Sequence, residues 1–308
     1  MSVKVPEVIF VVGPTAAGKT RLAIELAQRL SGEIVNADSR QVYRHMDIGT
    51  AKPTPAERSE ARHHLLDLLP PDQNFSLGTF LSLARSSIDE INGRGSPAIV
   101  AGGTGQYVWA LYEGWNVPEV PPDEDFRRQL EAEAAESGGE ALFRQLGSLD
   151  PERASNLDPR NVRRIIRALE IHHVTGEKPS ALQQSGDKGR QGPVIGLTLD
   201  RNRLYERIDA RLDRMMADGF LDEARSLQDM GYKLGEGPLA CPGYRELGQF
   251  LGEETSLEEA VQRAKFQTHR LARRQYTWFK PGDARINWLT GEDSALAEAA
   301  AKVIARVG

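Results

Sequence analysis

The chain has 308 residues and a formal net charge of −5; with 40% hydrophobic and 27% charged residues it has the balance of a globular protein rather than a disordered one. No stretch approaches the ~18 consecutive apolar residues of a membrane span, and the single cysteine, Cys241, excludes an internal disulfide and any cysteine-rich zinc site. The first residues lead straight into an apolar run without the pattern of a signal peptide, so the expected location is the cytoplasm and no membrane partner is expected.

Residues 7–12 are apolar and β-branched, the mark of a buried strand. The glycine-bearing loop Gly13, Pro14, Thr15, Ala16, Ala17, Gly18, Lys19, Thr20 follows directly, and then Leu22, Ala23, Leu26, Ala27 and Leu30 recur at helical spacing. Gly32 ends this helix, and 33–37 reads as a second strand with Asp38 and Ser39 at its carboxyl end. Residues 98–101 form another apolar strand, followed by Gly102-Gly103-Thr104-Gly105 and a helix carrying Tyr107, Trp109 and Leu111. Strands alternating with helices predict a parallel α/β sheet with helices on both faces, with ligands at the carboxyl ends of the strands. From about Asn116 the texture changes. Pro118, Pro121 and Pro122 predict a stiff connector, and 123–185 is mainly helical in pattern. The stretch 183–192 reads as a mobile loop, and 194–199 returns as a strand. The expected domains are therefore an α/β core of 1–118 and 193–308 and an inserted helical domain of 119–192. Residues 201–231 and 255–279 predict long helices, 285–289 a last strand, and 293–306 a terminal helix.

Residues 13–20 form a complete P-loop pattern in its proper setting of strand, loop and helix. A ring of backbone N–H groups at a helix N-terminus holds an anion there. Lys19 reaches the outer phosphate, and the Thr20 hydroxyl is placed for Mg²⁺. Such a loop identifies a diphosphate or triphosphate and leaves the reaction open. Asp38 is a candidate general base or second oxygen donor to Mg²⁺, weighed against a plain turn or N-cap aspartate. Gly102–Gly105 permits close approach of backbone to a ligand, or is only a tight turn. Arg160–Arg167 packs four arginines into eight residues, and a second basic run, 263–280, mixes Arg263, Arg270, Arg273 and Arg274 with Tyr276, Trp278 and Phe279. Arginine beside stacking aromatics suits RNA, while a solvated helix face is the plainer reading. The adjacent pairs His63–His64 and His172–His173 point in different directions and do not suit a metal. Cys241 reads as a small buried residue rather than a nucleophile.

Taken together, GPTAAGKT at 13–20, NADSRQVYRHMDIGTAKP at 36–53, HHLLD at 63–67 and GGTGQY at 102–107 resemble the tRNA dimethylallyltransferases (tRNA isopentenyltransferases), bacterial type. So do DPRNVRRIIRALEI at 158–171, GYREL at 243–247 and THRLARRQYTWF at 268–279. The resemblance implies a P-loop NTPase-like sheet with an inserted tRNA-binding domain. It implies transfer of a dimethylallyl group from dimethylallyl diphosphate to the exocyclic amine of the adenosine 3′ of the anticodon in tRNA. Asp38 and Thr104 match the family's catalytic positions, and 13–20 would cradle the diphosphate with Mg²⁺. The tRNA anticodon stem-loop would meet Asp38, Ser39, Arg40, Gln41, Arg127, Arg163, Arg164, Ile165, Ile166 and Arg167, and either Arg207 or Arg211 would assist the diphosphate. The chain is expected to act as a monomer. Two departures are Gln106, where an apolar residue is usual, and Pro242, where an aliphatic one is. The family's C-terminal zinc finger of longer members is absent from this sequence. A P-loop kinase of small molecules and an adenylate isopentenyltransferase acting on a free nucleotide are the competing readings.

Overall fold

The computed structural model describes residues 5–117, 120–183, 188–290 and 296–307, which divide into two compact units. The first contains residues up to 76, 80–112 and those from 190 onward; the second contains 77–79 and 113–189. In chain order the elements are β1 Val8–Val12, α1 Lys19–Leu30, β2 Glu33–Asn36, α2 Pro55–Glu60, β3 His63–His64, α3 Leu77–Gly93, β4 Ala98–Ala101 and α4 Gly105–Glu113. The helical segment follows as α5 Glu124–Ser137, α6 Gly139–Leu149, α7 Pro151–Ser155, α8 Val162–Thr175 and α9 Pro179–Gln183. The chain then continues with β5 Val194–Thr198, α10 Arg201–Ala217, α11 Phe220–Asp229, α12 Tyr244–Leu251, α13 Leu257–Trp278, β6 Ile286–Thr290 and α14 Leu296–Val307.

The six strands form one parallel sheet in the order β3-β2-β4-β1-β5-β6. β1 lies inside it, and all five of its residues are buried, as an apolar strand covered on both faces must be. Its two-residue period divides it between two packed layers. Ile9 and Val11 meet Leu22, Ala23 and Leu26 of α1 and Ala297, Ala300 and Ile304 of α14, while Phe10 packs edge-on against Tyr112, ring centroids 5.5 Å apart. With this central strand in place, the P-loop and the turns after β2 and β4 lie together at the carboxyl edge.

Several boundaries differ from the sequence expectation. β2 ends at Asn36, whose side-chain amide turns back to donate to Leu65 O and Asp38 O, so residue 37 leaves the strand. β3 is two residues long, too short to show alternation. Its histidines are structural: His64 Nε2 pairs with Glu33 Oε2 at 2.7 Å, and His63 Nδ1 lies 2.8 Å from Ala61 O. The helix expected over 201–231 breaks into α10 and α11 at Gly219, whose φ of 99° is costly for any residue with a Cβ. Pro118, residues 184–187 of the expected loop and 293–295 of the expected terminal helix lie outside the described residues. Among the described residues no helix is long and apolar enough to cross a membrane.

The second unit packs Leu130, Leu142, Leu146, Ile165, Ile166 and Leu169 into its own small core. Beside that core, Glu170 of α8 is fully buried and takes Arg127 and Arg167 as ion-pair partners, with Asp123 N donating at 2.8 Å. Burial pushes the Glu170 carboxyl up, but the hydrogen bonds from Arg167, Arg127 and the Asp123 amide outweigh this and hold it below the usual range.

Candidate active site

Three backbone conformations shape the loop between β1 and α1. Gly13 has φ 138°, and a Cβ there would meet Leu197 O at 2.4 Å, so only glycine fits. Ala16 sits at φ 63°, and Gly18, at φ 100°, is the N-cap of α1. No side chain caps this helix. Its first N–H groups are therefore donors for an anion, assisted by the helix dipole. Holding Ala16 in the left-handed region costs about 1–2 kcal/mol, a strain of the sort found where a loop is shaped for a ligand. Lys19 folds back over the loop, donating to Pro14 O at 2.7 Å. Burial pushes its amine down to about 8; Asp38 partly offsets this and Arg211 adds to it.

The turns after β2 and β4 are knitted together. Thr104 N donates to Ala37 O at 3.2 Å, and Ser39 N donates to Thr104 Oγ1 at 3.0 Å. A Cβ on Gly102 would meet Ala37 O at 2.2 Å, so this close approach of two backbones requires glycine. Asp38 closes a small turn of its own: Asn36 Oδ1 accepts from Asp38 N at 3.1 Å, and Asp38 Oδ1 accepts from Arg40 N at 2.9 Å. That bond occupies Oδ1, leaving the carboxylate a second oxygen to take a proton. Gln41 is committed to the loop itself, donating to Thr50 O and Ala51 O.

A cavity of about 1420 Å³ opens beside the P-loop, lined by Lys19 and Thr20 of α1 and by Arg203, Arg207 and Arg211 of α10. Arginines four residues apart share one helix face, so α10 presents a cationic stripe. Both candidate diphosphate arginines line the cavity, and Arg211 also touches the P-loop, with Nη1 3.4 Å from Thr15 Oγ1. Asp38 and Thr104 do not line it, although the Asp38 charge acts on both Lys19 and Arg211.

Three supporting residues lacked an individual signal in the sequence. Lys52, whose side chain is 1% exposed, donates to Tyr43 O and pairs with Asp47 and Asp67; Asp67 also holds Arg58 at 2.7 Å. Burial pushes the Asp67 carboxyl up, yet Lys52 and Arg58 hold it below the usual range. Glu223 of α11 accepts from three successive amides, those of Asp47, Ile48 and Gly49, and from Tyr244 Oη. Gln275 of α13, buried, accepts from Thr15 N at 2.8 Å and donates to Gly103 O at 3.1 Å.

The basic runs separate into exposed and packed residues. Arg163 and Arg164 are exposed on α8, but Ile165 and Ile166 are buried in the helical core. This corrects the expectation that these two isoleucines meet RNA: helical periodicity turns them inward. Arg127 and Arg167 are partly committed to Glu170. At the end of α13 and just after it, the expected stacking aromatics are partly or wholly buried. Tyr276 Oη lies 2.7 Å from Thr198 Oγ1, Phe279 is fully buried, and Trp278 O accepts from Trp109 Nε1. Burial pushes the Cys241 thiol up to about 11, unsuited to a nucleophile.

Comparison with known proteins shows the family. The IPP transferase family model matches residues 41–282, and the isopentenyl transferase model matches 6–71. A tRNA dimethylallyltransferase of Roseiflexus castenholzii is 49% identical over 270 residues, 88% of each chain. One of Dehalococcoides mccartyi is 42% identical over 286 residues, covering 93% of this chain and 88% of that one. Among solved structures, the tRNA isopentenylpyrophosphate transferase of Bacillus halodurans is similar at TM-score 0.70 and 39% identity, with 98% of each chain covered. A eukaryotic dimethylallyltransferase acting on tRNA is similar at TM-score 0.80 and 29% identity, covering 96% of this chain and 76% of that one.

Proposed function

The chain belongs to the IPP transferase family, and on that premise we propose that it moves a dimethylallyl group from dimethylallyl diphosphate to the exocyclic N6 amine of an adenosine 3′ of the anticodon in tRNA. The C–O bond of the diphosphate ester breaks, a C–N bond forms, diphosphate departs and one amine proton is lost. The P-loop amides, Lys19 and Arg211 take up the charge that gathers on the leaving oxygens, which is where electrostatic stabilisation does most. Asp38 accepts the amine proton as the C–N bond forms, and Thr104 holds the Asp38 loop through the Ser39 amide. The observation that carries this reading is that the Asp38 loop is bonded to the 102–105 turn through Ser39 N and Thr104 Oγ1, and that Gln275 ties the same turn to the P-loop. A base for the acceptor and cations for the leaving group thus share one edge of the sheet.

A diphosphate of this kind is usually escorted by Mg²⁺. On the cavity wall beside the P-loop, the Thr20 hydroxyl is the protein oxygen that would hold such an ion. This fits Mg²⁺, which takes one or two protein oxygens and fills its octahedron with phosphate oxygens and water. Bound there, the ion would neutralise diphosphate charge. On the RNA side, exposed Arg163 and Arg164 supply phosphate contacts, and the target base leaves its stack at a cost of a few kcal/mol that such contacts offset. Cytoplasmic tRNA is the substrate pool this reading assumes.

The test is direct: the protein is incubated with Mg²⁺, dimethylallyl diphosphate and unmodified tRNA, with ATP and a small acceptor or free adenylate supplied in parallel reactions, and the products are analysed by mass. A prenylated adenosine is expected in the tRNA alone. Phosphoryl transfer from ATP to a small acceptor, or prenylation of free adenylate with tRNA untouched, would sink the proposal.

A further inference from the structure

One buried polar side chain joins the two halves of the proposed site. Gln275 of α13 spans from the P-loop to the turn after β4, using both ends of its amide: Oε1 accepts from Thr15 N at 2.8 Å, and Nε2 donates to Gly103 O at 3.1 Å. Gln275 is 9% exposed, and a Cβ on Gly103 would meet its Nε2 at 2.2 Å, so the turn is fitted closely around it. Thr15 is gripped from a second side by Arg211, and Gly103 adjoins Thr104, whose hydroxyl holds the Ser39 amide beside Asp38. A continuous chain of bonds therefore runs from the leaving-group cradle through Gln275 to the base. The Thr15 amide, committed to Gln275, is withdrawn from the ring of donors available to an anion.

We propose that Gln275 is a positioning residue that sets the spacing between the diphosphate cradle at 13–20 and the Asp38–Thr104 pair. The inference rests on the prenyl-transfer reading above. Neutral glutamine is suited to the task because one end must accept while the other donates. A carboxylate would hold the Thr15 amide but present a second acceptor to Gly103 O, whereas a protonated carboxyl reproduces the amide pattern. A misplacement of about 1 Å between reacting groups is enough to cost ~10²-fold in rate.

The experiment compares Gln275→Leu and Gln275→Glu with the wild type by prenyl transfer to tRNA, tRNA affinity and melting temperature. Gln275→Leu is expected to lower kcat by about 10- to 100-fold, with KM for tRNA within about twofold because a spacing defect acts after binding. The ratio of Gln275→Glu to wild-type kcat is expected to rise at least about fivefold from pH 8 to pH 6 as the new carboxyl gains its proton. Taking the ratio removes the pH dependence that both proteins share. A kcat for Gln275→Leu within about threefold of wild type, or a loss carried by KM alone, would overturn the proposal. If the leucine variant does not fold, the glutamate ratio decides, and a flat ratio overturns it. An inactive wild type would instead defeat the prenyl-transfer reading, so the two failures are distinct.

Discussion

Lys19 gives the site its clearest dependence on pH. Its amine, pushed down to about 8 by burial, is charged below that pH and neutral above it. Because kcat/KM reports groups of the free enzyme, kcat/KM for dimethylallyl diphosphate should fall as pH rises through about 8. Lys19→Arg should remove that alkaline limb, since a guanidinium stays charged; a flat wild-type profile up to pH 9.5 would remove Lys19 from the account. Asp38→Ala should lower kcat by at least about 10²-fold, the range of a lost general base, while tRNA affinity stays within about twofold. A variant that lost tRNA binding without a rate defect would make Asp38 a structural residue. The P-loop was legible because its eight residues are consecutive, and Asp38 because it closes a strand. Gln275 and Glu223 were not, because their partners lie 260 and about 175 residues away, separations that no local pattern reports.

α8 shows what one helix can do with two faces. Its arginines at 163 and 164 point to solvent while Ile165, Ile166 and Leu169 fill the core. Replacing Arg163 and Arg164 together with Ala should weaken tRNA binding and reduce the slope of log affinity against log salt by about 1.5–2, since each phosphate contact releases roughly one counterion. An unchanged slope, measured by titration across salt concentrations, would make these arginines a solvated face. The other device of α8 is Glu170. Glu170→Ala should lower stability by about 1–3 kcal/mol, less than the ~3–5 of a fully buried pair, because the arginines it leaves behind can rehydrate. Their side chains are 30% and 34% exposed. The Glu170 carboxyl is held low, so its contribution is present above the ordinary carboxylate pKa, ~4.3, and is lost as pH falls below it. Acid melting curves of the variant and the wild type should therefore draw together progressively as pH falls below ~4.3. The helical character of 123–185 was legible from its periodicity; Arg167's inward pairing was not, because a run of charge does not reveal which members meet a buried partner.

For the whole molecule, strand order does what composition cannot. Placing β1 between β4 and β5 brings three turns far apart in sequence to one edge: the P-loop after β1, Asp38 after β2 and Thr104 after β4. Their alternation with helices made a parallel sheet legible, whereas β3, two residues long, left no signal. The central claim is that this P-loop carries a departing diphosphate rather than a nucleotide that donates phosphate. The most direct measurement supplies tRNA, Mg²⁺ and dimethylallyl diphosphate without any nucleoside triphosphate and counts diphosphate released against adenosines prenylated. The account predicts one diphosphate for each prenylated adenosine, unchanged in yield when ATP is added at low concentration. A requirement for ATP, or release of phosphate from it in step with product, would contradict it.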